Sequence, residues 1–365
     1  MKLTVPHMGN SYIALEALLL EMGHEVVVPP ASTKKTLNLG TKYSPESACL
    51  PLKINIGNFL EAIELGAEGI IMAGGSGPCR FGYYAQVQRE ILKDLGHEAE
   101  VIVLEPPNEN FAQLRLQIQR LFALKGMRSF WRGLQLAWEK IQAVEELESV
   151  AHYTRPREIV TGNTSHLLAN SLAQLRKASS VLDIRRTLQI NRDAMLEMAI
   201  NETKPLRIGI VGEIYTVLEP FVNLDLEERL GHLGVEVNRT VNLVEWIRDH
   251  LVLSSLRLYK NDHLRKLAHG YLRGFVGGHG LESVAHTVML AQQKFDGVIH
   301  ILPFTCMPEI VAQSVLRHVS ADYHIPILSL VVDEHTGETG FQTRLEAFVD
   351  LIGQKTEASL NVEAK

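Results

Sequence analysis

Gly69-Ile70-Ile71-Met72-Ala73-Gly74-Gly75-Ser76-Gly77-Pro78-Cys79-Arg80-Phe81-Gly82-Tyr83-Tyr84 is the stretch that decides the fold. Gly69 to Ala73 is a short apolar run of the kind found in a fully buried strand. The Gly/Pro-rich turn that follows breaks it, and Tyr84, Val87, Ile91 and Leu95 then recur at helical spacing. Strand, glycine turn and helix in that order make one unit of an α/β lobe with a mostly parallel sheet, and ligands bind at the turn.

Working outward, Lys2 to Pro6 reads as a strand, Ser11 to Met22 as a helix and Glu25 to Val28 as a second strand. A long loop, Pro29 to Ala48, leads to Cys49, and from Leu52 the positions Ile56, Phe59, Leu60 and Ile63 mark a helix. Val101 to Leu104 closes an N-terminal lobe, residues 1–108. From 109 to 204 strand signals are scarce and leucines recur at helical spacing, interrupted at Pro156 and Gly162, which predicts a helical connector. The alternation resumes in a C-terminal lobe, 205–352, with strands at R-I-G-I-V-G-E, Val235 to Val237, Gly297 to Leu302 and Pro326 to Val332. A polar tail, 353–365, reads as frayed. Gly9-Asn10-Ser11-Tyr12 and Gly212-Glu213-Ile214-Tyr215 each follow the first strand of their lobe, a short echo that suggests duplication.

Among 365 residues, 46% are hydrophobic and 21% charged, the composition of a folded enzyme-like body. The net charge of -6 argues against nucleic acid as a partner. No run approaches the roughly 18 apolar residues that cross a bilayer. The first residues lack a signal-peptide pattern, because Glu16 and Glu21 break the apolar stretch from Ile13 to Met22. The three cysteines are an odd number, far apart, and match no disulfide framework, so a reducing cytoplasm fits best.

Cys49 in S-P-E-S-A-C-L-P-L-K and Cys306 in L-P-F-T-C-M-P-E share Cys-x-Pro with the proline suited to a helix start, and a helix begins just after Cys79. Amides and the positive end of a helix dipole favour thiolate, the form that binds iron. Three thiols on three helix starts predict that Cys49, Cys79 and Cys306 jointly hold one [4Fe-4S] cluster, leaving one iron open. Gly74, Gly75 and Gly77, with Ser76 among them, would let amides approach the cluster, and Lys53 and Arg80 would offset residual charge. Glu213 and Glu309 stand at loop edges as acid/base or supporting groups, with helix N-terminal stabilisation the first role to expect of Glu309.

Other readings of the cysteines stay open. A buried cysteine taken alone is most often a small core residue. Zinc held by the three thiols plus a histidine or water would lack the usual Cys-x2-Cys pairs, and Cys79 as a lone nucleophile would leave the other two unexplained. A metal-free α/β binding protein would need the thiols dispersed. Neither glycine-rich turn, G-G-S-G-P or G-G-H-G, has phosphate-loop or dinucleotide spacing. Of the histidines, only His7 and His279, in or near glycine turns, invite attention.

E-S-A-C-L-P-L-K, G-G-S-G-P-C-R-F-G-Y-Y and P-F-T-C-M-P-E, with V-G-E-I-Y and E-T-G-F-Q-T-R-L-E-A-F, resemble segments of the 2-hydroxyacyl-CoA dehydratase and benzoyl-CoA reductase subunit superfamily. The branch most similar is that of members related to the acyl-CoA dehydratase activase system. The resemblance implies two flavodoxin-like lobes with a [4Fe-4S] cluster between them, on cysteines at the matching positions Cys49, Cys79 and Cys306. It also implies an ATP-hydrolysing iron-sulfur activase as electron donor, and a homodimer or heterodimer. In the dehydratases the electron makes a ketyl radical from a CoA thioester bound at the open iron. Three cysteines are too few for the double-cubane cluster of another branch. A non-catalytic iron-sulfur carrier or cluster-binding subunit is the alternative within the same chemistry.

Overall fold

The computed structural model describes residues 1–75, 79–104, 125–198, 201, 204–248 and 262–363. By internal contacts the chain forms two units, one of Met1–Glu146, Asn170–Ile190 and Leu243–Tyr259, the other of Leu147–Ala169, Asn191–Asn242 and Lys260–Lys365.

In the first unit β1 (Lys2–Thr4), β2 (Glu25–Val26), β3 (Gly69–Ala73) and β4 (Glu100–Leu104) pair in parallel, in the order β2-β1-β3-β4. Helices α1 (Tyr12–Glu21), α2 (Lys34–Tyr43), α3 (Leu50–Glu64) and α4 (Phe81–Asp94) make the returns. Side chains alternate across β3. Ile71 joins Leu3, Val5, Leu19 and Ile102 on one face, while Ile70 and Met72 join Ile56, Phe59, Ala85 and Leu92 on the other. With both faces covered, the strand is apolar throughout, which is why it was readable as a buried run.

The second unit repeats the plan. β5 (Leu206–Gly212), β6 (Val235–Arg239), β7 (Gly297–Pro303) and β8 (Ile327–Val332) are parallel in the order β6-β5-β7-β8. Each sheet has the flavodoxin-like order, in which the first strand lies between the second and third. Between the two sheets in sequence come α5 (Gly126–Thr154), a 3-10 turn at Arg155–Arg157, α6 (Asn163–Lys177) and α7 (Val181–Leu196). These helices do not form a body of their own but divide between the two units. After β5 follow α8 (Ile214–Leu218), α9 (Pro220–Asn223) and α10 (Leu226–His232); α11 (Leu243–Ile247) counts with the first unit. Then come α12 (Asp262–Ala268), α13 (Gly280–Gln292), α14 (Met307–Tyr323) and α15 (Glu338–Glu363). The segment expected to be a frayed tail from 353 therefore continues α15 as helix to Glu363.

One expectation fails outright. Pro29 to Ala48 is not a loop throughout, because α2 occupies Lys34–Tyr43. Its start is fixed by Thr33, whose hydroxyl accepts from the Lys35 N–H while Thr36 Oγ1 accepts from the Thr33 N–H. Glycines let α2 and α3 pack closely. A Cβ on Gly40 would lie 1.7 Å from the Lys53 carbonyl oxygen, and one on Gly57 would lie 2.0 Å from that of Thr36. The buried Thr36 hydroxyl also donates to Glu61 Oε2 at 2.7 Å. This contact sets the hairpin that delivers Cys49. Gly40→Ala must push the two backbones apart and should cost about 1–3 kcal/mol, measured by denaturant unfolding.

The second unit also buries an ion cluster. Arg239 pairs with Glu148 at 2.7 Å and Glu227 at 3.2 Å, and His152 Nε2 lies 2.7 Å from Glu227 Oε2. Burial raises the Glu227 carboxyl, but Arg239 and His152, aided by Arg155, outweigh it and bring it down to about 2 from an ordinary 4.5. A depressed acid contributes stability above its unfolded value and loses it as pH falls toward its folded one. Acid unfolding of the wild type should therefore steepen between about pH 4.5 and 2, and that part of the profile should flatten in Glu227→Gln.

Candidate functional site

In a parallel sheet each helix that precedes a strand must start near the carboxyl edge and run back to the opposite one. α3 does this before β3, so its N-cap residue, Cys49, lies at the carboxyl edge of the first sheet, with Pro51 in the first turn. Cys79 follows β3 to the same edge and directly precedes Arg80, the N-cap of α4. Tyr84, in the first turn of α4, places its hydroxyl 2.5 Å from Cys49 Sγ. Burial, followed by the charge of Cys49, pushes the Tyr84 phenol far up, and either partner of this short contact can be the donor while the thiol keeps its proton.

Lys53 and Arg80, expected to offset cluster charge, hold the approach to Cys49. Lys53 Nζ donates to the Glu46 carbonyl at 3.2 Å, and Arg80 Nη1 to that of Ser47 at 3.0 Å. Lys53 is 2% exposed, so its ammonium reaches the loop from inside. Gly74 N–H donates to the Leu104 carbonyl at 2.8 Å, and a Cβ on Gly75 would meet the Phe81 ring at 2.8 Å. Gly75 thus allows the turn to lie on α4. Ser76 and Gly77 fall outside the described residues. His7 is a structural residue, with its ring 2.7 Å from the Pro29 carbonyl oxygen.

Cys306 caps α14 just past β7, with Pro308 in the first turn. The preceding residue, Thr305, has φ 68°, a left-handed conformation that is strained for a β-branched side chain and is retained mainly where local geometry demands it. Beside it α13 begins so close that a Cβ on Gly280 would lie 2.5 Å from the Pro308 carbonyl oxygen. His279 is the N-cap of α13 and follows two left-handed glycines, Gly277 and Gly278.

The chemistry of this second edge is acidic. Glu213, at the end of β5, accepts the N–H groups of Tyr215 and Thr216 at 3.0 and 2.9 Å and the Thr216 hydroxyl at 2.8 Å. Burial nevertheless raises its carboxyl, and the charge of Glu309 adds to the rise. Glu309 stands in the first turn of its helix, as expected, and has a further role. It is fully buried, and its Oε2 lies 2.8 Å from His300 Nε2 and accepts the Ser283 hydroxyl at 2.9 Å. Glu282, next to Ser283, is pushed up to about 7 by burial and by Glu309. His286 is pushed down to about 4, by burial and then by His279. His300, Ser283 and Glu282 escaped the sequence reading. The one available signal was a histidine inside the apolar run V-I-H-I-L.

No disulfide involves the cysteines, and among the described residues no group of three or more His, Cys, Asp and Glu side chains is assembled for a metal ion. The donor chemistry at each position does fit a thiolate-bound cluster, since all three sulfurs stand at helix starts of more than eight residues. No family model matches the chain, and no curated protein matches it. Among the described residues no helix is long and apolar enough to cross a membrane. What fold and site define is a protein of two flavodoxin-like α/β lobes with thiols at the ligand-binding edges of both sheets. Once Cys49 ionises its sulfur can only accept, so the Tyr84 hydroxyl beside it favours the thiolate and its removal disfavours it. In Tyr84→Phe the pH profile for alkylation of Cys49 should move upward, followed by mass spectrometry of the labelled peptide.

Proposed function

We propose that Cys49, Cys79 and Cys306 jointly hold one [4Fe-4S] cluster with an open iron, and that reductive or radical chemistry on a small molecule or CoA thioester takes place there. The electron would come from an ATP-dependent iron-sulfur activase, with the chain working in the cytoplasm as part of a two-subunit assembly. The observation that carries this reading is that all three sulfurs stand at helix starts on carboxyl edges, where doubly wound folds bind their ligands. Helix starts and nearby amides favour an anionic sulfur-bound group. When bound, the cluster would supply one-electron reducing power and a Lewis-acidic iron.

The chain's own residues support the reading in two ways. Lys53 and Arg80 fix the loop that leads to Cys49. Burial raises the carboxyls of Glu213 and Glu282, that of Glu282 to about 7, which suits a reaction that protonates its reduced substrate. A simple electron carrier has no use for them. Together with the sequence resemblance, this favours a member of the 2-hydroxyacyl-CoA dehydratase and benzoyl-CoA reductase superfamily over the carrier alternative.

Anaerobic purification with iron and sulfide quantification, and EPR after dithionite reduction, tests the reading in wild type and Cys79→Ser. Iron and sulfide in cluster proportion are expected, with an EPR signal that the folded variant loses. Wild-type protein without iron, whether it carries zinc or nothing, would overturn it.

A further inference from the structure

The Tyr84 ring is 6% exposed and meets the edge of Phe81, with 6.0 Å between centroids and 68° between planes. Phe81 in turn lies against the turn at Gly75. A tyrosine has only two side-chain torsions, so a ring packed in this way also fixes the direction of its hydroxyl. Cys49, whose Sγ lies 2.5 Å from that hydroxyl, is held by its own helix. It caps α3, its carbonyl accepts the Leu52 N–H at 3.1 Å, and Lys53 and Arg80 bind the carbonyls of Glu46 and Ser47 just before it. Ile56 and Phe59 of α3 and Ala85 and Leu92 of α4 share one core with Ile70 and Met72 of β3. Oxygen and sulfur are therefore brought together by the packing of two helices on one face of one strand.

A buried phenol needs a hydrogen-bond partner, and a neutral thiol is a weak one in either direction. A thiolate is a strong one. A hydrogen bond to an ionised acceptor is roughly twice as strong as a neutral pair, and poorly hydrated surroundings strengthen it further. The contact thus contributes most when Cys49 is anionic, which is the state in which a cysteine binds metal. In that state the sulfur can only accept, and the Tyr84 phenol keeps its proton, because burial and then the charge of Cys49 push it far up. A hydroxyl that donates to a ligand sulfur draws electron density from it and favours the more negative, reduced form of the bound group.

We propose that Tyr84 is a positioning residue for the Cys49 ligand, whose hydroxyl orients the thiolate and raises the potential at which the site takes up its electron. The tuning rests on the proposed function; the oxygen–sulfur hydrogen bond itself does not.

Redox titration followed by EPR tests the tuning in anaerobically purified, full-length wild type, Tyr84→Phe and Tyr83→Phe. In Tyr84→Phe the reduced-to-oxidised ratio at a given potential should fall about tenfold, a midpoint about 59 mV lower for a one-electron couple, with iron and sulfide content unchanged. Tyr83→Phe, which removes a hydroxyl from a side chain 72% exposed, should titrate like the wild type. A purely structural Tyr84 would change iron content or stability and leave the midpoint of the loaded fraction in place. The hydrogen bond has its own readout in metal-free protein, the infrared S–H band that Cys49→Ser removes, which should shift in Tyr84→Phe. An unmoved midpoint in loaded Tyr84→Phe would overturn the proposal and leave the cluster standing. Wild type that binds no iron would overturn the proposed function and the tuning together, and a shifted S–H band would then leave the hydrogen bond alone.

Discussion

Parallel pairing is the constraint on which the rest depends. Two parallel strands cannot be joined by a tight hairpin, so each return crosses the sheet, here largely as helix. Strand ends and helix starts therefore collect on one edge of each sheet, where unpaired amides and helix dipoles point the same way. Cys49, Cys79 and Cys306 occupy that edge because of topology, whatever their separation in sequence. The same constraint gathers Glu213, His279, Glu282 and Glu309 in the second lobe.

Close packing then gives those edges their detail. Gly40 and Gly57 let α2 and α3 touch through backbone, which sets the short loop before Cys49, and Lys53 and Arg80 tie its carbonyls down. Gly280 performs a related task, admitting the start of α13 against the first turn of α14. Beside that contact Thr305 takes a conformation that costs its class of side chain roughly 1–3 kcal/mol. Backbone strain persists only where surrounding structure over-determines it, so the turn holding Cys306 is specified by its neighbours as well as by its own sequence.

The strands were legible because burial on both faces leaves apolar runs. Gly69–Ala73 has the same bounds in sequence and structure, and β4 to β8 differ from their expected bounds by only a few residues at either end. α2 was hidden because K-K-T-L-N-L-G-T-K-Y offers few apolar positions, and its stability comes from Thr33, Thr36 and the contact with α3, which is tertiary information. The cysteine edge was legible from Cys-x-Pro and the glycine turns. His300, Ser283 and Glu282 were not, because they converge from a strand and a helix that carry no shared motif. Glu309 was visible at its helix start, but that position alone suggested a dipole role and gave no hint of the histidine beneath it.

Equal topology with unequal chemistry is the most informative feature of the pair of lobes. Cys79 and Cys306 each follow the third strand of their sheet, so they occupy corresponding places. Cys49 and His279 correspond as well, each being the N-cap of the helix that leads into that third strand. The first lobe thus brings two sulfurs to its edge, with basic side chains holding the loop beside them. The second brings one sulfur, a histidine at a helix start and, also at helix starts, the carboxyls of Glu213, Glu282 and Glu309. Under the proposed function this asymmetry has a physical logic. Thiolates delocalise electrons onto iron but are poor proton carriers at a buried site, whereas carboxylates beside histidine move protons and would be weaker ligands for a reduced cluster. A reaction that takes up both an electron and a proton requires both kinds of group at its centre. A repeated scaffold with different residues at matched helix starts can furnish them without any change of fold.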